Sequence, residues 1–168
     1  FELALRIPEW SDHAEVSVNG SQVSADSVNR GYLLLERELV EGDVVELKLS
    51  MPVLRMKSHP LVRQTGGKTA IQRGPLVYCL EEADNGKNLH QVLLPRHTEF
   101  KLRSFNEMGT DMISITAEGF RRVSDQWEGS LYRSDSQEDE QPAELIFIPY
   151  FAWANRGEGE MRVWVEHN

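Results

Sequence analysis

Along most of this chain hydrophobic side chains alternate with polar ones, the period of two expected of a strand with one buried face. Phe1, Leu3, Leu5 and Ile7 alternate with Glu2, Ala4 and Arg6 until Pro8, which cannot donate to a ladder. Val16 and Val18 lead into Asn19-Gly20, a hairpin signal because both residues tolerate positive φ. Residues 31–39 make the next strand, with a continuous apolar middle (Leu33, Leu34, Leu35) that suits burial on both sides. A turn at Glu41-Gly42-Asp43 precedes Val45, Leu47, Leu49 and Met51, which alternate with Glu46, Lys48 and Ser50. This is a meander at the spacing of a β-sandwich.

Arg55, Lys57 and His59 continue an extended stretch to Pro60, and Gly66-Gly67 turns the chain. Residues 68–81 add one or two strands around Gly74-Pro75, a pair suited to a bulge or a switch between sheets. Residues 82–88 are polar and turn-rich, which places a boundary there between subdomains 1–82 and 83–168. Further strands are predicted at 91–94, 99–105, 111–116, 143–150 and 161–165. Residues 134–142 are acidic and predict a mobile loop. No stretch holds a helical period over three turns. The expected fold is all-β: an antiparallel β-sandwich, as two small sandwich subdomains in tandem.

Composition narrows the function. Across 168 residues, 40% are hydrophobic and 27% charged, as in a globular chain, and the net charge of −9 opposes nucleic-acid or anionic-membrane partners. No apolar run nears the ~20 residues that span a bilayer. One cysteine excludes an internal disulfide framework. A single thiol suits a reducing cytosol, which is slightly favoured, without excluding export. A strand pattern from the first residue, with no Met, leads us to expect a part of a longer polypeptide.

Three segments carry a likeness beyond pattern. They are Lys68-Thr-Ala-Ile-Gln-Arg-Gly-Pro-Leu-Val-Tyr-Cys-Leu-Glu81, Phe1-Glu-Leu-Ala-Leu-Arg-Ile-Pro-Glu-Trp10, and Ile148-Pro-Tyr-Phe-Ala-Trp-Ala-Asn-Arg-Gly157 followed by Glu160-Met-Arg-Val-Trp164. In type and order they resemble the region after the catalytic barrel in glycoside hydrolase family 127, the β-L-arabinofuranosidase-like enzymes. The resemblance implies an upstream (α/α)6 barrel with a zinc-supported cysteine nucleophile, and two sandwich subdomains behind it. The first would pack on the barrel and the second dimerise in some members. It thus implies a non-catalytic accessory region, inactive alone, with no catalytic, cofactor or metal residue in this chain and zinc confined to the barrel.

The residues themselves offer little chemistry. Glu36/Glu38 and Glu158/Glu160 have strand spacing, but so do solvated faces. Cys79 lies between apolar neighbours and reads as a core thiol, since the family's cluster of cysteines is absent. The five histidines form no metal-binding spacing. Arg55, Lys57, His59 and Arg63 form a basic strip, read as a guarded strand edge or a contact for an anionic group. Trp10, Trp127, Trp153 and Trp164 raise sugar stacking, so a carbohydrate-binding module is the alternative function. Trp153 with Asn155 and Arg156 is the best candidate for a carbohydrate or interface contact, beside the plainer reading that Arg156 braces its own turn. Arg73 is the candidate for an interface salt bridge.

Overall fold

The computed structural model describes residues 2–24, 28–106, 109–123, 129, 131–132, 134 and 140–167. Trp127 and residues 135–139 of the acidic segment lie outside them. The chain divides into two compact units, Phe1–Pro52 and Val53–Asn168.

The first unit holds β1 (Glu2–Arg6), β2 (Ala14–Val18), β3 (Ser21–Val23), β4 (Val28–Asn29), β5 (Tyr32–Glu36) and β6 (Val45–Leu49). They form two three-stranded antiparallel sheets, β1-β5-β4 and β3-β2-β6. The predicted alternation sets Leu3 opposite Leu35 and Leu5 opposite Leu33. Leu33 and Leu35 then bury themselves with Val16 and Val18, under Leu3, Leu5, Ile7, Val45 and Leu47. Leu34 is only half-buried, so β5 has one inner face rather than two. Asn19 (φ 52°) and Gly20 (φ 77°) make the expected hairpin turn. The same geometry recurs at Arg30 (φ 50°) and Gly31 (φ 81°), joining β4 to β5 without the Asn-Gly signature. Asp43 braces the turn before β6 by accepting from Asn19 Nδ2 at 2.8 Å and from the Val40 amide at 2.9 Å.

The second unit holds β7 (Val53–Met56), β8 (Lys68–Arg73), β9 (Leu76–Glu81), a single helical turn α1 (Glu82–Asn85), β10 (Val92–Leu93), β11 (Phe100–Phe105), β12 (Met112–Arg122), β13 (Glu140–Pro149), β14 (Met161–Arg162) and β15 (Val165–Glu166). Its strands make one nine-stranded sheet in which the pairing β8–β9–β13–β12–β10–β15–β8 returns to its start. Among the described residues only the β10–β15 pairing is parallel. One face of this sheet packs Ile71, Tyr78, Leu80, Ile115, Leu145, Phe147 and Val165 into the larger core. Because side chains alternate, Cys79 and Ile148 point the other way, into a second cluster with Phe105, Met112 and Ala152.

Three further expectations need correction. The boundary falls at Pro52/Val53, not after residue 82, because β8 and β9 are hydrogen-bonded into the second unit's sheet on both edges. Gly74-Pro75 is neither bulge nor sheet switch. It is a two-residue hairpin loop with Arg73 opposite Leu76, and Gly74 at φ 55° supplies the turn. The final strand at 161–165 is two strands. β8 and β9 pair only near their shared loop, and the last segment fills the opening, with Met161 and Arg162 against β9 and Val165 and Glu166 against β8. Among the described residues no helix is long and apolar enough to cross a membrane.

Candidate functional site

The Ile-Phe-Ile run of β13 ends at Pro149, whose fixed φ and missing donor suit the end of a ladder. A 3-10 turn follows over Tyr150–Ala152. Ala152 is buried, while Phe151 is 62% and Trp153 37% exposed, so the dense aromatic run splits between core and surface. Trp153 stacks on Tyr150 with ring centroids 6.4 Å apart and planes at 27°. Asn155, itself exposed, donates from Nδ2 to the carbonyls of Ala152 (3.1 Å) and Trp153 (3.3 Å). Ala154, at φ 64°, sits in the left-handed region, and its amide donates to Glu81 Oε1 at 3.1 Å.

Arg156 completes the arrangement. Its Nη1 donates to Asp84 Oδ1 at 2.8 Å and its Nε to Glu81 Oε2 at 3.2 Å, while Nη2 reaches both carboxylates. The guanidinium also lies 5.1 Å from the centre of the Phe105 ring. Glu81 is buried and its two partners nearly so, with 12% of the Arg156 side chain, 3% of Glu81 and 10% of Asp84 exposed. Charges so placed survive burial only when paired and hydrogen-bonded, as these are. Next to the triad, Asn85 bridges the sheet margin. It donates to the carbonyls of Glu81 and Ile146 and accepts from the Ile146 amide.

The structure therefore brings Trp153, Asn155 and Arg156 together, as expected from their adjacency, but turns Arg156 into the protein and leaves Asn155 at the surface, bound to carbonyls of its own turn. The turn-bracing reading of Arg156 describes its bonds. Arg73 stands at the other end of β9 from Glu81, beside the Tyr78 hydroxyl, whose pKa burial pushes up against the pull of Arg73. Sequence reasoning missed Glu81, Asp84, Asn85 and Phe105. A signal existed for Glu81, because the segment ending there and the segment holding Arg156 both carry the family resemblance.

Cys79 is fully buried, and burial, with Glu81 and Asp84 adding to it, pushes its thiol up to about 12, which favours the protonated thiol at neutral pH. Glu36, Glu38 and Glu158 are exposed. Glu160, also exposed, accepts from the amides of Leu89 (2.8 Å) and Asn88 (3.0 Å), which hold its carboxyl below the usual range. Within the basic strip, Arg55 donates to the Pro95 carbonyl at 2.7 Å and lies 4.8 Å from the Phe100 ring centre. His59 Nδ1 accepts from the Leu61 amide at 3.3 Å. Among the described residues no three His, Cys, Asp or Glu side chains gather as metal ligands. The triad's bonds hold the turn that follows Trp153.

Comparison with known proteins gives this architecture a family. Residues 53–166 match the glycoside hydrolase family 127 C-terminal domain, and residues 1–51 match the β-L-arabinofuranosidase, GH127 middle domain. The junction coincides with the structural boundary. The chain is 34% identical over 169 residues to the non-reducing end β-L-arabinofuranosidase of Bifidobacterium longum subsp. longum, covering 95% of the chain and 25% of that protein. A solved GH127 β-L-arabinofuranosidase from Geobacillus stearothermophilus T6 superposes on all of the chain with a TM-score of 0.93 and 43% identity, and a second GH127 β-arabinofuranosidase does so with 0.85 and 35%. The chain spans 26% and 28% of those proteins. It belongs to glycoside hydrolase family 127, of which it carries the middle and C-terminal domains.

Proposed function

We propose that this chain is the non-catalytic accessory region of a β-L-arabinofuranosidase-like enzyme, packing on and supporting an upstream (α/α)6 barrel that holds the zinc and the nucleophile. The observation that carries the reading is the match of nearly the whole chain to about a quarter of a β-L-arabinofuranosidase. The chemistry of the chain agrees. Its cysteine is buried and protonated, and its buried carboxylates are tied to Arg156. Association of two copies through this region and a cytoplasmic setting belong to the same reading.

The test compares the natural gene product with the 168-residue chain. We expect the gene product to be longer by the length of a catalytic domain and to hydrolyse p-nitrophenyl β-L-arabinofuranoside, and the chain alone to leave that substrate intact. Hydrolysis by the chain alone, abolished in Cys79→Ala, would sink the proposal.

A further inference from the structure

Arg73 ends β8, and its guanidinium lies beside the Tyr78 hydroxyl. The Tyr78 hydroxyl donates to the Ile113 carbonyl at 3.0 Å. The buried Nε of Arg73 has no acceptor among the described residues. Such donors are rare, because a buried donor without an acceptor loses the hydrogen bond it had in water. Arg73 lines a cavity of about 430 Å³ walled also by Leu76, Tyr78, Ser104, Pro149 and Phe151. The exposed Phe151 ring stands on that wall. Asp111 also lines the cavity, but its carboxylate accepts from Asn106 Nδ2 at 2.7 Å.

We infer that this cavity seats one carboxylate side chain, Asp or Glu, from the part of the parent polypeptide outside residues 1–168. The inference rests on the docking reading above and names a contact for it. A guanidinium offers paired, parallel donors, a geometry that a carboxylate matches with both oxygens. An arginine beside an exposed aromatic ring is the composition of an interface centre. The net charge of −9 disfavours free anions near the surface. A carboxylate on the same polypeptide arrives at an effective concentration on the order of millimolar. There is ample chain to supply it, because the matched relatives extend well beyond the 25–28% that this chain covers.

The test uses the full-length gene product with a benzoyl-phenylalanine photo-crosslinker in place of Phe151, read by mass spectrometry. Expected are cross-links to a peptide outside residues 1–168 that contains an Asp or Glu. Arg73→Gln should cut their yield by about tenfold, equivalent to ~1.4 kcal/mol of lost contact. Arg73→Lys, which keeps the charge and loses the fork, should fall between, and Asp111→Asn should leave the yield unchanged. Replacing the captured carboxylate by Ala should cost as much as Arg73→Gln, with no further loss when the two are combined. Cross-links confined to residues 1–168 or to a second copy, or a yield indifferent to Arg73, overturn the inference while leaving the docking reading standing. A gene product with no chain beyond these residues overturns both.

Discussion

Arg156 is where a single side chain decides most. It neutralises two carboxylates that the protein has almost fully removed from water. Removing one partner of a buried ion pair costs about 3–5 kcal/mol, mostly because the charge left behind is uncompensated. Arg156→Ala should lose about that much in urea unfolding. Arg156→Lys keeps a charge but not the fork, so its loss should be smaller. Asp84→Asn should be milder still, since Glu81 keeps its partner. An Arg156→Ala variant within 1 kcal/mol of the parent would show that the clamp adds no net stability. Arg156 was legible in the sequence as a polar residue closing an aromatic run. Its partners were not, because they lie 72 and 75 residues away and periodicity reports only which face a residue takes.

At the scale of elements, strands with clean alternation were readable and their pairings were not. The strands around Leu3, Val16 and Leu47 appear where period two placed them, since each has one wet face. β12 runs on to Arg122, past the predicted end at 116, through a glycine that reads as a break in a strand. The structure shows why glycine stands there. A Cβ on Gly119 would lie 2.5 Å from Leu145 Cδ1 and 2.7 Å from the Leu93 carbonyl oxygen, so β10, β12 and β13 approach closely only over a bare Cα. Gly119→Ala should therefore destabilise by about 1–3 kcal/mol, the usual cost of overpacking. Adding Leu145→Ala should not restore stability, because the Leu93 contact is backbone and that substitution opens a cavity in the larger core. Thermal unfolding of the single and double variants decides it: a Gly119→Ala melting point equal to the parent's would mean that the strands can part freely.

At the scale of the whole molecule, fold class and family were legible because they rest on repeated alternation and three ordered segments. The unit boundary was not, because a polar turn after Glu81 looks like a linker although the strand before it is locked into the second unit. Charge acts at this scale too, and its sign can be worked out. His167 has its pKa lowered, first by burial and then by Arg96, Lys57 and Arg55. Its Nδ1 accepts from Arg96 Nε at 3.2 Å, which requires a neutral ring, and its amide ties the chain end to the Gly67 carbonyl at 3.1 Å. A base with a lowered folded pKa stabilises the fold above its unfolded value, near 6.5, and loses that contribution as pH falls. Asp43 and Glu160, whose carboxyls are lowered by hydrogen bonds, add losses of the same sign only below their ordinary values of 3.8 and 4.5. Stability should thus fall in two stages on acidification, the first between about pH 7 and 5 and the second below about 4.5. His167→Gln should flatten the first stage and leave the second. A parent melting temperature constant from pH 7 to 5, or an equal slope in the variant, would remove His167 from the account.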